Sequence, residues 1–149
     1  MKIDSSIQKF ILNWGQIASN WGMNRTVAHI HALLLISPEP LTADEIKATL
    51  QVARSNVSVS LRELQNWGLV EMHSVMEDRK KRFAAHKDIQ FIFKQIMRER
   101  KRREVDMAFK CLNECSALIQ QAGPAHQISE LKQVFHKLES FYEGLINGA

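Results

Sequence analysis

The residues best suited to chemistry lie in the middle of the chain, where short polar side chains are followed by a basic cluster. An asparagine such as Asn56 can pair with the edge of adenine, and an arginine such as Arg54 can read guanine or clamp a phosphate. The basic residues further along can reach phosphates or the minor groove. These residue types predict double-stranded DNA as a partner. The candidate contacts are Arg54, Ser55, Asn56, Ser58, Val59, Arg62, Arg79, Lys80, Lys81 and Arg82.

The remaining reactive side chains lack the neighbours that catalysis or metal binding needs. Cys111 and Cys115 are four residues apart, so a disulfide within one helical turn would be strained. A zinc site needs about four ligands, and only His126 is a conceivable third. Redox sensing stays open, although two buried small apolar side chains are the favoured interpretation. With no Gly-rich phosphate loop and no Gly-x-Ser-x-Gly motif, the sequence predicts no enzyme, no cofactor and no metal.

The positive charge of the chain is concentrated in one segment. The 149 residues carry 20 Lys and Arg against 16 Asp and Glu, for a net charge of +4. Residues 77–104 hold eleven of the basic and five of the acidic residues, a local balance of +6. This asymmetry suggests an anionic partner such as nucleic acid. On charge alone, a solvated helix face is an equally good interpretation.

Helical patterns dominate the sequence, in which glycine and proline occur only 6 and 3 times. Apolar residues at spacings of three and four predict amphipathic helices over 5–22 and 24–36. Thr42 and Glu45 form a capping box that begins a short third helix. The elements that follow are a helix over 54–67, a strand over 69–75, a charged turn over 77–81 and a return strand over 82–86.

This order of elements is that of a winged helix-turn-helix. The predicted fold is therefore mainly α with a small β-wing, plus long N- and C-terminal helices. A long helix begins at residue 88 and is broken at Gly123-Pro124, before a last amphipathic helix. Its run 98–104 is charged at every position, with Glu99 and Arg103 spaced for an i,i+4 pair. We interpret the run as a solvated strut. The alternatives are contact with DNA flanks and signalling between lobes.

Three segments of the middle region carry a family resemblance: Arg54-Ser55-Asn56-Val57-Ser58-Val59-Ser60-Leu61-Arg62-Glu63-Leu64, Trp67-Gly68-Leu69-Val70 and Asp78-Arg79-Lys80-Lys81-Arg82-Phe83. Together they resemble the MarR-type winged-helix transcriptional regulators. The nearer match is the subgroup named after the repressor of glycine-betaine synthesis (GbsR), and the likeness covers residues 10–105. One departure is Glu77-Asp78, which stands where many relatives have a glycine before the Arg-Lys pair.

The resemblance implies a repressor that binds a palindromic operator as a homodimer. Apolar stripes in the terminal helices also favour a dimer, because one small winged helix could not cover them. The expected organisation is a dimerisation helix at 1–23, a DNA-binding domain at 24–87 and dimerisation helices at 88–149. The alternatives are an intramolecular three-helix bundle in place of the dimer, and a protein-interaction adaptor that does not bind DNA.

A small-molecule effector is a further expectation. Trp14 and Trp21 are seven residues apart and share a helix face, and aromatic rings suit cations. Some members of the resembled subgroup sense choline-like quaternary ammonium compounds, so this pair is a candidate ligand site. The competing interpretation is that both tryptophans belong to the core. The sequence also has no apolar run long enough for a membrane span and no secretory signal, which predicts a cytoplasmic protein without a membrane partner.

Overall fold

The computed structural model describes residues 3–75, 77–119 and 125–148. As predicted, the fold is mainly helical with one small antiparallel sheet. It separates into two compact units, Met1–Ile92 and Phe93–Ala149. The first seven elements are α1 (Ser5–Ser19), α2 (Arg25–Ile36), β1 (Leu41–Thr42), α3 (Ala43–Leu50), α4 (Arg54–Asn66), β2 (Val70–Val75) and β3 (Asp78–Ala85). They are followed by α5 (Ile89–Lys101), the π-helical turn Arg102–Asp106, α6 (Met107–Ile119) and α7 (Ala125–Asn147). The predicted break at Gly123-Pro124 lies outside the described residues.

The first two helices form a closely packed pair. The prediction that Asn24 caps α2 is confirmed, because its side chain accepts a hydrogen bond from the backbone N–H of Thr26 at 2.9 Å. α1 ends at Ser19, three residues earlier than predicted, and the chain turns through Gly22 with a φ of 87°. Gly15 lets the helices approach, since a Cβ at this position would lie 2.3 Å from Nε2 of His29. Seven of the twelve residues of α2 are buried, and they supply much of the core of the first unit.

The helix-turn-helix begins as the sequence predicted. The Oγ1 of Thr42 accepts from the backbone N–H of Glu45 at 3.2 Å, and Oε1 of Glu45 accepts from the backbone N–H of Thr42 at 3.2 Å. This capping box satisfies two amides that the first turn of α3 would otherwise leave without partners. Gln51, with a left-handed φ of 55°, ends α3. α4 then buries the predicted apolar residues Val57, Leu61 and Leu64.

The sheet has the strand order β1-β3-β2, and all neighbouring strands are antiparallel. Two features differ from the prediction. The short strand β1 was not foreseen, and it joins the sheet by pairing Leu41 with Phe83. The predicted charged turn over 77–81 is wrong, because β3 already begins at Asp78. The register then shifts from Val75 opposite Asp78 to Ser74 opposite Lys81, so residues 79 and 80 bulge out of the ladder.

The charged run 98–104 is packed more closely than the solvated strut that we predicted. The predicted pair is confirmed, with Nε of Arg103 3.0 Å from Oε1 of Glu99, but the side chain of Glu99 is only 17% exposed. Tyr142 of α7 is buried, donates its hydroxyl hydrogen bond to Glu104 and lies under the guanidinium of Arg100. A polar strut solvated on all sides is therefore wrong for this face of the run. Arg100 and Glu104 of the run both contact Tyr142, a side chain from α7.

Candidate nucleic-acid interface

The exposed face of α4 carries the predicted recognition residues. Its buried side is apolar, because Val57, Leu61 and Leu64 dock on the rest of the unit. Arg54, Ser55, Asn56, Ser58, Val59 and Arg62 are all exposed. α4 therefore has one face that anchors it and an outward face of mostly short or basic side chains. A helix of this kind can lie in the major groove while its apolar side holds it to the domain.

A groove of about 520 Å³ lies between α4, the start of α3 and the wing. The side chains that α4 contributes include Arg54, Ser58 and Arg62, which are spaced one helical turn apart. Among the described residues that line the groove, five are basic and one, Asp44, is acidic. The basic residues are Arg54, Arg62, Arg79, Lys80 and Lys81. The structure thus brings the two predicted basic segments together around one concave, positive surface, which suits a phosphate backbone.

The wing bulge places two basic side chains at this surface. Asp78 holds its shape, because one carboxylate oxygen accepts from the backbone N–H of Lys80 at 3.0 Å and the other binds Arg82 at 2.8 Å. These hydrogen bonds, that of the Lys80 amide first, lower the pKa of the Asp78 carboxyl group. Arg79 and Lys80 are left exposed. Arg82 is half-buried against Asp78 and does not line the groove, unlike the other predicted wing residues.

Asp44 is a functional candidate that the sequence reasoning missed. Its Oδ1 lies 2.5 Å from Nη1 of Arg54, and both side chains are exposed. The two residues are ten apart and lie on successive helices, so no local spacing pointed to the pair. The signal available was an acidic residue in the first turn of α3. The contact places a carboxylate beside the Arg54 guanidinium at the start of the recognition helix.

The predicted recognition residues divide between two flanks of α4. Asn56 and Val59 line a second groove, of about 450 Å³, together with residues at the start of α2. Arg54, Ser58 and Arg62 line the first groove instead. Helical geometry causes the division, because residues two apart point to different sides of a helix. One wide outward face thus lies between the two grooves.

The two tryptophans of the candidate ligand site are close together. Their ring centroids are 5.9 Å apart and nearly perpendicular, and Phe10 stacks on Trp14 at 6.4 Å. The Nε1 of Trp14 donates to Nδ1 of His31 at 3.1 Å. Burial, and then the charge of Lys87, lowers the pKa of His31 to about 4, so this imidazole is neutral at neutral pH. Trp14 is therefore anchored, and both tryptophans remain half-exposed.

The other candidate chemistries gain little from the structure. Cys111 is exposed, so the interpretation of both cysteines as buried apolar side chains is wrong for this one. A hydrogen bond with Cys111 raises the pKa of the Cys115 thiol, which lowers its thiolate fraction. Across residues 3–75, 77–119 and 125–148, no three His, Cys, Asp or Glu side chains cluster as metal ligands would. Nor does any helix in these ranges have the length and apolarity to cross a membrane.

Comparison with known proteins matches both the motifs and the fold. A model of the MarR family matches residues 21–81. The HTH-type transcriptional repressor GbsR of Bacillus subtilis (strain 168) is 25% identical over 125 residues, which cover 80% of this chain and 69% of that protein. A crystal structure described as a transcriptional regulator superposes with a TM-score of 0.76 at 19% identity, over 95% of this chain and 96% of the other.

These similarities confirm the resemblance that the motifs indicated. The matched segment 21–81 contains α2, α3, α4 and β2, and it ends inside β3, so it includes every side chain that lines the first groove except Phe83. The solved structure supports the fold over nearly the whole chain. The identity to the curated repressor extends beyond the matched segment, because it covers 80% of this chain.

Proposed function

Because a model of the MarR family matches residues 21–81, we propose that this chain is a cytoplasmic repressor that binds a palindromic operator as a homodimer. The observation that carries the proposal is the groove in which five basic residues from α4 and the wing meet. A surface of this shape and charge fits the phosphates on either side of a major groove.

In this proposal, α4 enters the major groove and the wing binds the flanking backbone. Arg54 and Asn56 are at the start of α4, where a recognition helix makes its base contacts. Arg54 reads guanine while Asp44 orients it, and Asn56 reads adenine. Ser55, Ser58, Val59 and Arg62 complete the helical contact. Arg79, Lys80 and Lys81 neutralise phosphates, and Arg82 supports the wing by pairing with Asp78.

A second copy of the chain is proposed to cover the apolar surface of the terminal helices. On α1, Leu12 and Ile17 are exposed. On α7, Leu131, Val134 and Phe141 are exposed, although the sequence placed all three on the apolar side of the helix. Exposed apolar side chains at several positions favour burial against a partner. A two-fold dimer would place the two α4 helices about 34 Å apart, one turn of DNA.

A small cation is proposed as the effector, bound against Trp14 and Trp21. The support is the perpendicular pair of half-exposed indoles, since the face of such a ring attracts quaternary ammonium groups. The site would act by favouring one of two dimer conformations. Titration with choline should quench tryptophan fluorescence in the wild type and not in Trp21→Leu, which has no aromatic face for the cation. An unchanged response in the variant would exclude this site.

The test of DNA binding begins with selection of bound sequences from random duplexes. Arg54→Ala and Asn56→Ala should each abolish the preference for the selected operator. Lys80→Ala should weaken binding to all sequences, and should reduce the slope of log affinity against log salt by about one unit per protomer. The competing function, an adaptor that binds protein only, predicts no selected sequence and no steep salt dependence.

A further inference from the structure

Val59 is an exposed apolar residue on the outward side of α4, where it lines the second groove. It is the sixth residue of α4, and 65% of it is exposed. The core does not use it, because Val57, Leu61 and Leu64 form the buried side of the helix. A β-branched residue also lowers helix propensity relative to alanine. Val59 therefore contributes neither to the core nor to the stability of its own helix.

The surroundings of Val59 allow a flat surface to approach it closely. Ser55 lies one helical turn before it and Ser58 is its neighbour, and both side chains are short. Glu63, one turn after it, has its carboxylate drawn toward the end of the helix by a 3.0 Å hydrogen bond from Nε1 of Trp67. Arg62, on the other flank of α4, lines the first groove and supplies positive charge there. Apart from Glu63, which also lines the second groove, these neighbours are short or basic and suit a polyanion better than an apolar protein partner.

We propose that Val59 packs against the C5-methyl group of one thymine in each half-site and so selects T at that position. The inference rests on the proposed function, in which α4 lies in the major groove. The edges of the base pairs there are polar, except for the methyl group of thymine. An apolar side chain in the middle of a recognition helix therefore has a single favourable contact among the four bases. The contact adds specificity that Arg54 and Asn56 do not provide.

The test removes the methyl group from the DNA and the side chain from the protein, separately and together. In the selected operator, each thymine is replaced in turn by deoxyuridine, which keeps the base pair and its O4 acceptor. For the wild type, one symmetric thymine position should lose affinity about four-fold per half-site, as expected for one buried methyl group. Val59→Ala should bind the unmodified operator more weakly by a similar factor, and deoxyuridine should then have no further effect at that position.

Two controls keep the result specific. Val59→Ala should fold at least as stably as the wild type, because the side chain is exposed and alanine is the better helix former. Asn66→Ala changes another exposed residue of α4 and should keep the deoxyuridine sensitivity. If no thymine is sensitive in the wild type, or if the sensitivity persists in Val59→Ala, the thymine contact is refuted while operator binding stands. If no sequence is selected at all, both the contact and the proposed function are refuted.

Discussion

The groove between α4 and the wing and the charged run 98–104 are both rich in basic residues. The two regions differ in whether carboxylates lie beside these residues. In the run, carboxylates lie beside the cations, so that Glu99 binds Arg102 and Arg103, and Glu104 binds Arg100. In the groove, Arg62, Arg79, Lys80 and Lys81 have no carboxylate within ion-pair distance among the described residues. Charge density along the sequence is therefore a poor guide to a DNA-binding surface. Every residue of 77–82 and of 98–104 is charged, so the two segments differ in the partners of their cations and not in charge density.

The largest expected effect comes from removing the available charges. Arg79→Ala, Lys80→Ala and Lys81→Ala combined should reduce DNA affinity about a thousand-fold near 0.15 M salt, and should reduce the salt slope by about three units per protomer. Arg102→Ala in the run is the matched control, and it should change affinity less than about two-fold because Glu99 already neutralises that cation. Fluorescence anisotropy over a salt series measures both. Equal losses in the two variants would remove the distinction between the regions.

The second-largest expected effect is a loss of stability in acid. It should affect the first unit, because this unit buries the titratable side chain of His31. The pKa of His31 is about 4 in the fold and near 6.5 when unfolded, so the unfolded chain binds the proton more tightly. The stability that depends on neutral His31 is complete above pH 6.5 and is lost as the pH falls toward 4, on the order of 3 kcal/mol. Denaturant unfolding should report the loss through tryptophan fluorescence, since Trp14, Trp21 and Trp67 all belong to this unit. His31→Gln should reduce the acid dependence to the part contributed by His29, whose pKa burial also lowers, whereas His73→Gln at an exposed position should preserve it.

High pH should instead lower the stability of the second unit. Burial, followed by the hydrogen bond to Glu104, raises the pKa of Tyr142 to about 12. The unfolded chain then loses the proton first, so stability falls as the pH rises above about 10. Tyr142→Phe should remove the part of this loss that Tyr142 contributes, and Cys115 of the same unit, whose pKa is also raised, leaves a further part. At neutral pH it should destabilise the second unit by about 1 kcal/mol, because it removes one buried hydrogen bond. Circular dichroism of denaturant unfolding measures both, and an alkaline loss as large in the variant as in the wild type would contradict the role of Tyr142.

The smallest expected change in DNA affinity comes from Asp44, the acidic residue among those described in the groove. Asp44→Asn should release the Arg54 guanidinium and remove a negative charge, so affinity for non-operator DNA should rise about three-fold. Preference for the operator should fall, because a mobile Arg54 reads its base less strictly. Glu39→Gln, an exposed acidic residue outside the groove, is the control. An increased preference for the operator in Asp44→Asn would show that Asp44 hinders Arg54.

Local patterns predicted the parts of the fold that are determined locally. The capping box of Thr42 and Glu45, the cap at Asn24 and the buried side of α4 follow from residues within two turns of one another. Contacts between distant residues could not be predicted in this way. Strand β1 depends on pairing Leu41 with Phe83, and burial of the charged run depends on Tyr142, 38 residues beyond Glu104.

The candidate site shows the same division. The sequence identified the residues of α4 and the wing, since their types and order carry the winged-helix pattern. Their arrangement depends on two carboxylates that the sequence reasoning did not use. Asp78 holds the wing bulge through Lys80 and Arg82, and Asp44 binds Arg54 across ten residues. A count of basic residues along the sequence cannot show which of these cations form ion pairs with carboxylates.

The most direct test is equilibrium binding to the selected operator and to a scrambled duplex of the same composition. At about 0.15 M salt, the wild type should bind the operator at least about a thousand-fold more tightly than the scrambled duplex. Arg54→Ala should bring the two affinities together, because the base contact is lost while the wing contacts remain. Equal affinity of the wild type for both duplexes would contradict sequence-specific recognition by α4 and the wing.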